Sequence, residues 1–384
     1  MEQLVTSDLK LGIIAGGQLA KMLIQEASKW DISTYVLDQE ENCPAASIAS
    51  HFVQGSRFDF DAVYRFGQMV DLLTFEIESI NVGALKKLKA EGYKIVPDPD
   101  ILELIQDKGK QKEFYVRHKI PTAAFETFDT AGAIKDAVEQ GRLQFPFVQK
   151  LRTGGYDGRG VAVINDAGDM HKLLDGASIA EPRIDIAKEL AVIAARNNSG
   201  EIQCYPVVEM MFDPQANLVD KLICPAAITP EQSQRAIEIA SETIALLNMA
   251  GILAVEFFVD AAGEVIVNEM APRTHNSGHH TIESMMTSQF EQHLRAVLNL
   301  PLGSTEMKRP AVMVNIVGAE GYEGPVRYEG LSGCMAIEGV KVHLYGKKIT
   351  RPFRKMGHIT VLSSTLEGAL EKAERVKQLI KVKS

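Results

Sequence analysis

Two carboxylates stand on two short apolar runs in residues 256–280, EFFVDAAGEVIVNEMAPRTHNSGHH, and a group of hydrogen-bonding side chains follows at once. Residues 252–259 and 265–270 have the composition of buried strands, and Asp260-Ala-Ala-Gly between them is turn-forming. With a four-residue loop over 261–264, Glu256 lies directly across from Glu269 with both side chains on one face. Like charges facing each other across a ladder are destabilising, and buried carboxylates are costly unless paired or metal-bound. A hard divalent cation removes that conflict. Magnesium is held by only one or two protein carboxylates, with water and substrate phosphates in its other positions, so the pair suits a nucleotide-phosphate site. A loop one residue shorter would turn one glutamate to solvent instead, and the hairpin by itself leaves both arrangements open.

Other stretches carry matching chemistry. Residues 152–160, RTGGYDGRG, hold four glycines in seven positions, follow the apolar run that ends at Lys150, and include Arg159. Backbone N–H groups of such a loop can wrap phosphates, although glycine alone also explains a plain flexible hairpin. Lys347, Lys348, Arg351, Arg354, Lys355 and His358 fall within twelve residues. A charge run of this kind is usually a solvated face. Here Pro352, Phe353, Met356 and Gly357 interrupt it, which suits a shaped loop. His275, His279 and His280 have zinc-like spacing, but Asn276-Ser277-Gly278 is turn-forming, and a helical ligand face is what zinc would require. Arg273, His275 and Asn276 read better as anion and oxyanion binders. No Ser-His-Asp pattern and no covalent carrier motif is visible.

These groups need a frame. Residues 9–15 read as a strand, Gly16-Gly17 as a tight turn, residues 18–29 as a helix with Leu19, Met22, Leu23 and Ala27 on one stripe, and residues 34–37 as a second strand ending at Asp38. The fingerprint GxGxxG is incomplete, so the unit is a Rossmann-like layer with NAD a weak alternative. Further strand and helix pairs run to residue 96, implying a parallel sheet with ligands at the carboxyl ends of its strands, where Glu76 and Glu78 of TFEIES stand. Residues 108–118 read as a helix. A smaller unit to about residue 181 carries the glycine loop between two strands. Beyond it come strands at 184–195 and 205–211, a helix opened by Thr229-Pro230, the acidic hairpin, a helix at 289–298, a short-stranded segment and a final helix at 366–379.

Length, ordinary apolar content and a net charge of -9 describe a globular chain of two or three domains and argue against a nucleic-acid binder. Cys43, Cys204, Cys224 and Cys334 lie far apart without a CxxC pair, so neither a disulfide framework nor a thiolate zinc site is expected. With no basic-then-apolar leader and no apolar run long enough for a span, the expected compartment is the cytoplasm.

Taken in order, the Rossmann-like layer, Lys108, Lys150, the glycine-rich lid, Glu181-x-x-Ile184 followed by Glu189, and the acids Glu256 and Glu269 resemble the ATP-grasp superfamily over nearly the whole chain. Within it, GGYDGRG, AVEFFV, NEMAPRTHNSGH and RPxRKMGH resemble the 5-(carboxyamino)imidazole ribonucleotide synthases. The resemblance implies an α/β and α+β ATP-grasp fold: a Rossmann-like domain over 1–107, a lid over 108–183, and an ATP-grasp domain with a mixed or antiparallel sheet over 184–384. It implies ATP, magnesium and bicarbonate, no biotin, small-molecule partners and a homodimer. Lys108, Lys150, Glu181, Ile184, Glu189 and Asn268 would contact ATP, with Glu256 and Glu269 on the metal. Gln18, Leu19, Glu76, Tyr156, Arg159, Lys347 and Arg354 would bind aminoimidazole ribonucleotide. Asp157, Arg273, His275 and Asn276 would serve the chemistry around carboxyphosphate, with Asp157 a candidate base.

The chain departs from the family pattern in three places. Val161 follows the glycine loop where Gln is common, Phe353 replaces the glycine of RPGRKMGH, and AGGQLAKM replaces a GGGQLGRM-like first turn. Formate-dependent glycinamide ribonucleotide transformylase shares the end-of-strand acid motif and the acid pair, but not GGYDGRG or RPxRKMGH.

Overall fold

The computed structural model describes residues 6–155, 160–213 and 218–384. Near-continuous apolar runs with helices between them fold at the N-terminus as a five-stranded parallel sheet. Its order is His51–Gln54, Ser33–Asp38, Lys10–Ile14, Leu72–Phe75, Lys94–Ile95. The order reverses between Lys10–Ile14 and Leu72–Phe75, so the crevice beyond their carboxyl ends lies beside Gly16, Gly17 and Glu76. Asp59, Asn81 and Asp98 cap the helices that follow, each accepting from a backbone N–H of the first turn.

A four-stranded antiparallel sheet, ordered Glu126–Phe128, Ser178–Pro182, Phe147–Leu151, Val161–Ile164, makes the small unit. Its core is its own, built from Phe128, Ile134, Phe147, Ile164 and Ala180. The preceding helix Lys108–Arg117 does not share that core. Its Phe114 and Tyr115 pack with Leu190, Val255 and Met270 of the large sheet.

The large sheet has nine strands and only antiparallel ladders. The acidic hairpin Gly251–Asp260 and Val265–Ala271 forms one edge, and the strands Ala311–Val317, Lys355–Leu362 and Val340–Leu344 extend the other. The C-terminal segment is therefore continuous with this sheet. Its His358 lies beyond the shaped loop read from the sequence: it is fully buried in the strand Lys355–Leu362. The helix Gln289–Val297 buries Phe290, Leu294 and Val297 against Leu11, Leu23 and Val36, which fixes the large sheet to the N-terminal one. Among the described residues no helix is long and apolar enough to cross a membrane.

Candidate active site

The hairpin loop is shorter than expected. Asp260 N–H donates to Glu264 O, so the loop is the three residues 261–263 and not four. That length alone would put Glu256 and Glu269 out of register, yet they are direct partners, because the ladder steps from Phe257↔Val267 to Glu256↔Glu269. Asn268 is the extra residue, a β-bulge that shifts the side-chain alternation by one. Val265, Val267 and Met270 all reach the core, while Asn268 and Glu269 are both freed for the other face. Glu189 joins them there, two residues along from Ala191, the partner of Glu256.

Charges converge on this face from three other elements, the helix Lys108–Arg117 and the strands Phe147–Leu151 and Ser178–Pro182. Lys108 and Lys112 lie one helical turn apart: Lys108 pairs with Glu269, and Lys112 with Glu181. Lys150 reaches Glu181 at 2.8 Å and donates to Asn268 Oδ1 at 2.9 Å. Glu181 is thereby held between two lysines, with side-chain exposures of 3 % for Lys112 and 5 % for Glu181. The Lys150 and Lys112 charges hold the Glu181 carboxyl below its ordinary value against the opposing effect of burial. Lys112 is a residue that sequence reading passed over, and its i, i+4 spacing from Lys108 was the available signal.

The facing acids are driven apart in titration. Burial first, then the charge of Glu269, raises the Glu256 carboxyl, whereas Lys108 holds Glu269 low. Burial also raises Glu189, to about 7. One of two facing carboxylates already has an ammonium partner, and the other is costly to ionise without one. Two such oxygen donors on one face are what a divalent cation fits.

The next loop continues from the same strand. Arg273 pairs with Glu78 at 2.7 Å, which ties it to the N-terminal sheet, and its Nε is buried without a partner among the described residues. His275 Nε2 lies 3.5 Å from Glu256 Oε1, and its Nδ1 is 2.8 Å from Ser277 Oγ. Asn276 makes a reciprocal amide pair with Asn315, at 2.9 and 3.1 Å. The Asn315 partnership was not foreseeable from sequence, since Asn276 opens a single helical turn after the hairpin and Asn315 lies in the strand Ala311–Val317, 39 residues on.

Glu76 closes the crevice from the opposite side. Its carboxylate accepts from Gly17 N–H and, at 2.8 Å, from Ala20 N–H, capping the helix Gln18–Ala27 that begins with Gln18 and Leu19. A Cβ at Gly17 would collide with that carboxylate, so the turn needs glycine there for close approach. Lys21 Nζ donates to Leu344 O at 3.0 Å and brings the C-terminal loop to this helix. On that loop Lys347 Nζ donates to Lys355 O and Arg354 to Ile349 O, both at 2.7 Å. Ile184 lies in the short link between Ser178–Pro182 and Ile186–Arg196, half-buried. The base of the glycine loop is pinned beside Lys108: Arg152 forks onto Asp107 at 2.8 and 2.6 Å, and its carbonyl accepts from Lys108 N–H. Tyr156, Asp157 and Arg159 lie outside the described residues.

Known protein families match three successive stretches of the chain. A model described as the ribonucleotide synthetase preATP-grasp domain fits residues 9–106, one for the ATP-grasp domain fits 113–290, and one for the phosphoribosylaminoimidazole carboxylase C-terminal domain fits 311–372. The chain is 34 % identical over 368 residues to N5-carboxyaminoimidazole ribonucleotide synthase of Bacillus subtilis, over 94 % of this chain and 93 % of that one. The chain belongs to the N5-carboxyaminoimidazole ribonucleotide synthase family. A crystal structure of a family member from Thermotoga maritima superimposes with a TM-score of 0.90 at 46 % identity, over 98 % of this chain and 99 % of that one. Another synthase, from Aspergillus clavatus in complex with ADP and 5-aminoimidazole ribonucleotide, is 31 % identical with a TM-score of 0.89 over 97 % and 99 % of the two chains. Phosphoribosylaminoimidazole carboxylase of Vigna aconitifolia is 40 % identical over 94 % of this chain, which spans only 65 % of that protein's length. Like its family, the chain is an ATP-grasp ligase, with an N-terminal preATP-grasp domain and an antiparallel C-terminal sheet.

Proposed function

We propose that this chain carboxylates the exocyclic amine of 5-aminoimidazole ribonucleotide with ATP and bicarbonate, giving 5-carboxyaminoimidazole ribonucleotide, ADP and phosphate in purine biosynthesis. The observation that carries the reading is the meeting, at one place, of opposed Glu256 and Glu269, the lysines Lys108 and Lys150, and the loop Arg273, His275 and Asn276. The Aspergillus clavatus synthase bound to ADP and aminoimidazole ribonucleotide supports the choice of substrates.

In this reading Lys108 and Lys150 neutralise ATP phosphates, Asn268 fixes Lys150, Glu181 and Ile184 flank the adenine, and Glu189 meets the ribose hydroxyls. Glu256 and Glu269 would hold magnesium, which neutralises charge on the transferring phosphoryl oxygens. Bicarbonate attacks the γ-phosphate in line and yields carboxyphosphate and ADP. Arg273, His275 and Asn276 border the carboxyl group, with Arg273 held by Glu78. Carboxyphosphate breaks down to carbon dioxide and phosphate, and the amine captures the carbon dioxide. The closed site keeps water from the intermediate. Gln18, Leu19 and Glu76 seat the ribonucleotide at the crevice. Lys347 and Arg354 would grip its phosphate, Tyr156, Asp157 and Arg159 would also serve this substrate, and Asp157 would take the amine proton. The working assembly is a homodimer, which light scattering checks directly.

ADP release tests the reaction. Turnover is expected with bicarbonate plus aminoimidazole ribonucleotide, and not with formate plus glycinamide ribonucleotide or with ATP alone. Turnover confined to the formate pair, or none at all, overturns it. An Asp157→Ala enzyme with full carboxylation rate removes Asp157 from the mechanism.

A further inference from the structure

Gln289 opens the helix Gln289–Val297 and is 0 % exposed. Its Oε1 accepts from His275 N–H at 2.9 Å and its Nε2 donates to His275 O at 2.7 Å. One side-chain amide thus reaches both backbone groups of His275, whose carbonyl also accepts from Gly278 N–H at 3.0 Å. A Cβ at Gly278 would collide with this amide, which accounts for glycine in Asn276-Ser277-Gly278.

The amide is also the end of a longer arrangement. Gln289 Nε2 lies 3.3 Å from His279 Nδ1, so Nδ1 accepts and the ring proton belongs on Nε2. His279 stacks on His358 with centroids 4.7 Å apart, and His358 on His343 at 4.4 Å and 8°. His343 ends the column on Glu283, 2.7 Å away. Tyr345, two residues before Lys347, bonds His358 Nδ1 through its hydroxyl at 3.1 Å. The Nε2 atoms of His279 and His358 are buried with no partner among the described residues. Buried polar atoms of that kind are rare and demand a reason, and apolar side chains would fill a mere core more cheaply.

We propose that Gln289 and the column His279, His358 and His343 are positioning residues that hold the His275–Asn276 loop and the Lys347 loop in one fixed relation. The inference rests on the substrate reading above, in which those two loops serve bicarbonate and the ribonucleotide phosphate. Gln289 acts on the first through the His275 backbone, and His358 acts on the second through Tyr345.

Two measurements on the full chain test it. In Gln289→Leu, amide exchange of the peptide covering residues 274–278 is expected to quicken at least tenfold, with the helix Lys108–Arg117 unchanged. KM for bicarbonate is expected to rise at least tenfold with KM for ATP within twofold. Gln289→Glu, which burial would hold protonated and so close to the amide in shape and hydrogen bonding, is expected to show a smaller shift in the same parameters. His358→Phe preserves stacking but not the Tyr345 contact, and is expected to raise KM for the ribonucleotide at least fivefold with KM for bicarbonate unchanged. Unchanged exchange at 274–278, or a uniform shift of all three KM values alongside lowered Tm, overturns the proposal. Exchange does not depend on turnover: quickened exchange in an enzyme that ignores bicarbonate sinks the substrate reading and leaves the positioning role standing.

Discussion

Glu256 and Glu269 face each other across the ladder because Asn268 bulges out of the second strand and makes up for a loop one residue too short. Lys108 neutralises Glu269, so the carboxyl that is costly to ionise is Glu256. Glu256→Gln is expected to raise Tm of the ligand-free protein at neutral pH, because burial and then the Glu269 charge hold the Glu256 carboxyl above its unfolded value, a cost the amide does not carry. ADP production is expected to fall roughly 100-fold, because in the proposed reading Glu256 holds the metal. Calorimetry and a coupled ADP assay check the opposite signs. A variant that loses stability and activity together contradicts the assignment.

Lys112 is expected to matter for both stability and ATP. In Lys112→Met, Glu181 keeps only Lys150, so the cost should fall below the roughly 3–5 kcal/mol of a fully broken buried pair, at about 2 kcal/mol. Urea unfolding measures it, and KM for ATP should rise in parallel. The double variant Lys112→Met with Glu181→Gln should recover stability but not ATP affinity; failure to recover would show that the two side chains act independently.

Both turn departures from the family pattern fall on left-handed backbone. Ala15 has φ 71° and Phe353 has φ 61°, each where the family pattern has glycine. The chain keeps the glycine conformation without glycine, at a cost of about 1 kcal/mol per site. Ala15→Gly and Phe353→Gly are each expected to be neutral to stabilising, by about 0–0.6 kcal/mol, after the roughly 0.4–1 kcal/mol entropy of glycine in the unfolded chain is subtracted. A drop in the urea midpoint for either would refute the strain argument for that site.

The buried histidines set an acid limit. Burial pushes His280 and His293 down to about 4, and His279 and His358 well below the usual imidazole range. Their folded pKa lies below the unfolded one, so their stabilising effect is present above about pH 6.5 and lost as pH falls towards 4. Between pH 7 and 5, His280 and His293 should each take away about 2 kcal/mol. Urea midpoints at pH 7, 6 and 5 check this, and a flat profile would contradict it.

Much of the architecture was legible because it rests on local pattern. The helices Ala131–Glu139 and Leu366–Leu379 follow from amphipathic spacing and capping threonines, Thr130 and Thr365. Glycine turns and apolar runs ending in Glu76, Lys150 and Glu269 mark, in the sequence, residue types suited to phosphate chemistry. The residue types of the chemistry were therefore determined by sequence alone.

Tertiary structure decided what those residues touch. No local rule announces the bulge at Asn268, because it answers to cross-strand packing of Val267 and Met270. Lys112 against Glu181, Arg273 against Glu78, Asn276 against Asn315 and Gln289 against His275 all join segments distant in the chain. Their pairing depends on which sheet edges and helix faces pack together, and burial then makes each contact strong and each charge selective. Composition and period specify elements; only the packed fold brings the partners within hydrogen-bonding reach.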